Sequence, residues 1–440
     1  MTHHSSLLPP YSSSPSLRKS PRIFYGWYIA AVSFLCYFAA DAFGWYTFGI
    51  FLGPISKELG WTTVMLTGAL TLRTIIGGLS GPLVGPLADT RYGARILMTV
   101  GVLVAGAVPL MVSRVQALWQ FYLIYGVFGA LAMVGFGGLV TNTVLAKWFI
   151  RRRGRAIGFA AMGVSTAGMV FVPLVHFLIA RVGWRTTLVL LALIIWGLTF
   201  FPVILLVRRR PEDLGLLPDG ESRGKVEADP NPRIEVLVRE EVWTLKEALG
   251  TKTLWMLLLG FNLVGVAING AFLHFYPFLV SAGFSSNLAT TALTTLAFCC
   301  FAVKLPWGIL AERIHVRHCV TACYAGCAVS LGILLHSQSL PLVFLSTIAY
   351  GATLGGDMVL REMVYANYFG RTFLGAIRGV VMPLNLISIS GGPLFAAWLR
   401  DATGSYHLPY TIFLIVAVLG TFILYLTRPP VKRPAATTGS

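Results

Sequence analysis

Charge is what this sequence has least of. Of its 440 residues only 12% are charged, about half the fraction usual in a soluble globular chain. Acids are scarcer than bases, with 17 Asp+Glu against 34 Lys+Arg. Other absences exclude whole classes of function. No P-loop pattern occurs, so ATP is not the expected energy source. The six cysteines follow no recognised zinc spacing, and no nucleophile–base constellation is assembled, so neither a metal centre nor an enzyme is expected. No cofactor is called for. The first apolar block is too long for a signal-peptide core and no A-x-A site follows it, so a cleavable leader is not expected. Position 2 is Thr2 and the last residues are Thr-Thr-Gly-Ser, which match no lipidation motif.

What the chain has instead is long apolar runs: 56% of residues are hydrophobic and mean hydropathy is +0.75. Twelve blocks are long enough to cross a bilayer, which takes about 20 residues. They fall near 24–52, 64–87, 95–113, 117–145, 156–180, 184–207, 254–281, 288–311, 318–336, 341–366, 375–399 and 409–427. The fold class expected is therefore an all-α polytopic membrane protein of twelve transmembrane helices.

The bases are sided. Lys57, Arg114, Arg181, Arg185 and Arg400 fall in loops on one side, and Arg73, Lys304 and Arg361 fall within spans. Every other Lys and Arg falls on the side of the termini, which puts both termini in the cytoplasm of a cell-membrane protein. The formal net charge of +17 then reflects topology, and no nucleic-acid partner is implied. The Ser/Pro-rich stretch within 1–23 reads as a disordered cytoplasmic tail, and 428–440 as a second cytoplasmic tail. Cys319, Cys323 and Cys327 share one helix face, which suits close packing; a metal site with His315 and His318 is the alternative, and no known spacing supports it.

A polar stretch at 208–253 separates six spans (24–207) from six more (254–427) and reads as a cytoplasmic linker with one surface helix near "WTLKEALG". The halves match each other. An offset of 223 superposes Pro54 on Pro277, Gly85 on Gly308 and Asp89 on Glu312; an offset of 220 superposes Ala156 on Ala376 and Pro173 on Pro393. Parallel six-span repeats place a substrate site near the midplane between the halves, reached by rocking one half on the other.

The stretch "GPLADTRYGAR", beginning at Gly85 of G-P-L-A-D, resembles the signature of the major facilitator superfamily between spans 2 and 3, with Gly85, Asp89 and Arg95 as its glycine, acid and base. "GILAER" at 308–313 is its degraded second copy. "FYGWY", "AKWFIRRRGRAIG", "RRRPEDLGLLPDG", "HFYPFL" and "DATGSY" are similar to bacterial monocarboxylate and oxalate/formate-type members. The resemblance implies a monomeric secondary transporter. It would move a small organic anion by alternating access, with a proton or a counter-anion supplying the coupling. A proton-coupled exporter of drug-like or hydrophobic compounds is the alternative, but span 5 reads "GVSTAGMVFVP" where such exporters carry G-P-x-x-G-G.

Charges within the spans are the candidate functional residues, because each is costly there. Asp89 reads as a gating latch. The basic run "KWFIRRRGR" reads as a topological anchor. Arg73 either lines the cavity or pairs with Asp41. Asp357 and Arg361 stand at i, i+4, the spacing of an intrahelical ion pair, with Glu362 pointing elsewhere. His274 is either a packing residue or, like Asp41, a proton carrier. Asn142 and Tyr46 are candidate cavity-liners. Lys304 either snorkels or docks the anion. The resemblance favours docking, because such transporters carry an arginine four residues before the glycine corresponding to Gly308. Lysine keeps the charge without the planar fork.

Overall fold

A computed structural model describes residues 23–220, 241–337 and 339–432. Most of both expected tails, and the middle of the linker, lie outside these residues. Every regular element among the described residues is helical. Nine helices, or ten counting one bent pair, are long and apolar enough to cross a membrane. Grouped at their breaks, the elements form twelve spans.

The first six spans are repeatedly interrupted. Span 1 is α1 (Gly26–Ala40) and α2 (Trp45–Leu59), broken at Asp41–Gly44, where the hydropathy pattern predicts one continuous helix. A break frees backbone groups that lipid cannot satisfy. Here the Thr47 hydroxyl lies 3.0 Å from the Ala42 carbonyl and 3.3 Å from that of Asp41, and the Gly44 amide donates to the same hydroxyl. Span 2 is α3 (Thr63–Leu79) and α4 (Gly81–Asp89), bent by 49°. Pro82 has no amide to return to the preceding turn, and the glycines around it allow the bend. Span 3 is α5 (Gly93–Val112). Span 4 runs through α6 (Leu118–Phe121), a π-helical stretch (Tyr122–Phe128), α7 (Gly129–Phe136) and α8 (Gly138–Trp148). Spans 5 and 6 are the two legs of α9 (Arg153–Leu206), which turns at Gly183, φ 75°. Its 54 residues would reach about 80 Å if straight, far more than one bilayer.

The last six spans are each one unbroken helix: α11 (Lys252–Ser281), α12 (Ser286–Arg313), α13 (Val316–Leu335), α14 (Leu340–Phe369), α15 (Leu374–Thr403) and α16 (His407–Leu426). Before them lies the surface helix the sequence led us to expect, α10 (Leu245–Leu249). Thr244 and Glu247 form a capping box at its start, satisfying amides that have no partner within the helix.

The ends of spans 1, 6, 7 and 12 meet on one face. The Tyr25 hydroxyl donates to Leu206 O and the Thr253 hydroxyl to Arg428 O. The halves join at this terminal face through two crossings, α4 on α15 and the first leg of α9 on α12. At the first crossing a Cβ on Gly81 or Gly85 would run into the carbonyl oxygen of Gly379 or Gly375. At the second, one on Gly154 would run into that of Gly308, and one on Gly158 would come within 2.8 Å of that of Lys304. The contacts reach inward as far as Gly78 against Leu386, about 18 Å along α15. Beyond that, α2 and α11 pack mainly within their own halves, so a cleft opens toward the opposite face. The crossings also fix the register of the repeat. Spans 2 and 8 correspond at the offset of 223, whereas spans 5 and 11 correspond at 221, since Gly154 and Gly158 occupy the places of Gly375 and Gly379. The 220 offset was one residue out.

Candidate functional site

The floor of the cleft is tied by buried ions. Asp89, the last residue of α4, accepts a hydrogen bond from Lys147 Nζ at 2.6 Å and one from the Ala376 amide at 2.8 Å. The first partner lies in its own half and the second opens α15 in the other, where a helix N-terminus favours negative charge. Both side chains of the ion pair are buried, at 8% and 4% exposure. The repeat reproduces the arrangement: Glu312 accepts from the Arg155 amide at 2.7 Å and from its guanidinium at 2.6 Å. Arg153 donates to Asn367 across the seam, and Arg371 reaches both Lys147 O and Glu212.

The basic run read as an anchor is therefore where the halves are fastened. A positive span end and an ion-pair partner have the same composition, which is why hydropathy alone missed Lys147, Arg153 and Arg155. The base of the latch is Lys147; Arg95 donates to Ile204 O on the exposed rim. Asp219 was also missed. Its carboxylate accepts the amides of Ile150, Arg151 and Arg152 at 2.8–3.0 Å, pinning the start of the linker to the loop before α9 with a backbone nest.

Above the floor sits Lys304. It is 0% exposed, and its ammonium donates to Ala161 O at 2.9 Å and Ser165 Oγ at 2.7 Å, both on the opposite half. It does not snorkel. Asp41, at the broken end of α1, is buried, and Lys304, Tyr46 and Tyr125 lie in its neighbourhood. Tyr46, 37% exposed, stands on α2 in the neighbourhood of Cys300 of α12. Arg73 donates to the Tyr125 hydroxyl at 3.1 Å and the Phe43 carbonyl at 3.4 Å. A guanidinium beside carbonyls freed at a helix end is favoured by hydrogen bonding and by the helix dipole. Arg73 thus braces the break in span 1 against the π-helical stretch of span 4.

In the second half Asp357 and Arg361 form the expected pair at 2.7 Å, and the Tyr324 hydroxyl donates to the same carboxylate oxygen. Glu362 is not idle: it pairs with Arg378 of α15. Arg378 in turn lies in the neighbourhood of Tyr37 of α1, with Asn142 nearby. Arg378, Tyr37 and Ser165 escaped sequence reasoning because their partners lie on other helices, beyond any i, i+4 rule. His274 Nε2 lies 3.1 Å from Pro393 O and its ring packs on Tyr406. No cluster of three or more His, Cys, Asp or Glu fit to hold a metal occurs among the described residues.

The helical fold is one that known proteins share. The sequence profile of the Major Facilitator Superfamily matches residues 33–303 and 279–439. The chain belongs to this superfamily. Among curated relatives, the oxalate:formate antiporter of Oxalobacter formigenes is 24% identical over 421 residues, covering 92% of each chain. Monocarboxylate transporter 12 of Mus musculus is 24% identical over 371 residues, covering 80% of this chain and 74% of its own length. Among solved structures, the superfamily transporter FucP superposes with a TM-score of 0.69 at 12% identity, covering 92% of this chain and 99% of that one. These matches make the protein a multi-pass membrane transporter of this superfamily.

Proposed function

We propose that this transporter moves a small organic anion, a monocarboxylate, across the cell membrane by alternating access, as a monomer with both termini cytoplasmic. On this reading the terminal face is the inner one, and the two crossings there close the carrier inward. The observation that carries the proposal is Lys304. A wholly buried ammonium at the base of a cleft, held by two neutral oxygens, is a charge for which a carboxylate is the better partner. The relatives that transport monocarboxylates or exchange oxalate for formate support the same substrate class. Tyr46 and Asn142 are assigned to the cavity wall, and Arg73 to bracing the break. The coupling species is a proton carried by Asp41 or His274, or a counter-anion.

The test is uptake of labelled carboxylates into proteoliposomes. Lys304→Ala is expected to lose affinity by two to four decades, because removing a buried charged partner costs about 3–5 kcal/mol. Lys304→Arg keeps transport and shifts preference among carboxylates. Wild-type affinity in Lys304→Ala would overturn the assignment. For coupling, Asp41→Asn or His274→Ala should abolish uptake driven by a pH gradient while sparing exchange; unchanged pH dependence in both selects the counter-anion.

A further inference from the structure

We propose that Ser165 is the residue from which the substrate takes Lys304, so that cargo binding itself releases one fastening of the inner gate. The proposal rests on the reading of Lys304 as docking charge and adds how docking reaches the gate.

Gly158, Ala161 and Ser165 fall at i, i+3 and i+7 along the first leg of α9, and so share one face. At Gly158 the backbones of α9 and α12 are nearly in contact. From that point the Lys304 side chain runs along α9 to Ala161 O and then to Ser165 Oγ. Ser165 is the partner further from the terminal face, and hence nearer the open cleft. It is buried, and Cys300, one turn before Lys304 on α12, lies near it.

A hydroxyl suits an exchangeable hold. It accepts from the ammonium now and, having lost it, can turn back to a carbonyl of the preceding turn of its own helix. Handing the ammonium over therefore strands no buried polar group, the outcome that makes such exchanges costly. An ionised acceptor binds the ammonium more strongly than a neutral one does, so the exchange runs forward when an anion is present. Without an anion the ammonium stays on α9 and the halves stay fastened. Because the anion binds better once this inter-half bond is broken, it shifts the population toward inner opening. Release of one hydrogen bond to a charged group corresponds to a shift of about 10- to 100-fold.

The experiment compares wild type, Ser165→Ala, Ser165→Asp and Lys304→Ala. Oxalate is the probe anion, and hydrogen exchange of residues 149–155 and 311–316 (inner ends) and 55–62 and 281–288 (outer ends) is the readout. In wild type, oxalate should raise exchange at the inner ends and lower it at the outer ends. Ser165→Ala should show part of that change with no anion and bind oxalate about tenfold more tightly. Ser165→Asp, which supplies a permanent carboxylate to Lys304, should stay folded with its inner ends protected and ignore oxalate. Ser165→Ala indistinguishable from wild type with and without oxalate would overturn the proposal, as would an oxalate response in Ser165→Asp. If Lys304→Ala binds oxalate normally, the docking reading fails. A Ser165→Ala inner opening seen without anion in that case still establishes the fastening, so the two failures are distinct.

Discussion

Where α4 crosses α15, glycine faces glycine throughout: Gly81 and Gly85 lie against Gly379 and Gly375. Where the first leg of α9 crosses α12, Gly158 and Gly154 lie against Lys304 and Gly308. The acids differ as well. Asp89 and its Lys147 are both buried, whereas Glu312 is buried against an Arg155 that is 45% exposed. The comparison separates what the repeat conserves from what one copy has gained. Small residues are kept on both crossings because backbones that must meet and part need close approach without interlocked side chains. The lysine in the place of Gly81 adds a charge to one crossing alone. At the other crossing the buried acid, charged and paired with Lys147 of its own half, holds the closed state through the Ala376 amide of the opposite half.

The largest expected difference lies in those acids. Asp89→Ala leaves the Lys147 ammonium buried and should destabilise the closed inner face by about 3–5 kcal/mol. Thermal unfolding and hydrogen exchange of residues 370–376 would read this. Comparable losses from Glu312→Ala would erase the contrast between the crossings. Next come the glycines: Gly85→Leu and Gly308→Leu each force a side chain against an opposing backbone, a cost of about 1–3 kcal/mol. Each should slow transport about 10- to 100-fold, with inner ends exchanging faster than in wild type. Leucine tolerated at one crossing only would show that the two do not close together. Glu312→Gln is smaller, about 1 kcal/mol or less, because its partner is half in water; a melting point within a few degrees of wild type is expected. Smallest is Thr244→Ala, which unmakes the capping box of α10 outside both crossings. Proteolysis between residues 241 and 252 should quicken while transport is unchanged, and a transport defect would bring the linker into the mechanism.

Much of this was legible in the sequence because bilayers impose strict lengths and loops carry sided charge. Twelve apolar blocks, Gly85 with Asp89, the Asp357–Arg361 spacing and the capped surface helix all follow from local patterns. The break in span 1 does not, since hydropathy averages over Asp41–Gly44 without registering which backbone bonds are lost. Nor does Lys147, whose partner is 58 residues away, or the Glu362–Arg378 pair, which joins two helices. Lys304 stood out at once as a charge among apolar residues. Its holders, one backbone carbonyl and one serine on another span, left no such mark.

The π-helical stretch at Tyr122–Phe128 carries a consequence for how this chain tolerates change in length. A wide turn holds one more residue than an α-turn, and each residue of helix advances the face by about 100°. Gly129, which gives Arg73 room, owes its bearing to that surplus. Excising one residue such as the exposed Leu123 would let the turn tighten into ordinary α-helix and swing α7 round its own axis, pointing bulk where Gly129 now leaves space. Span 4 is thus phased by an extra residue, and its length is as constrained as its composition.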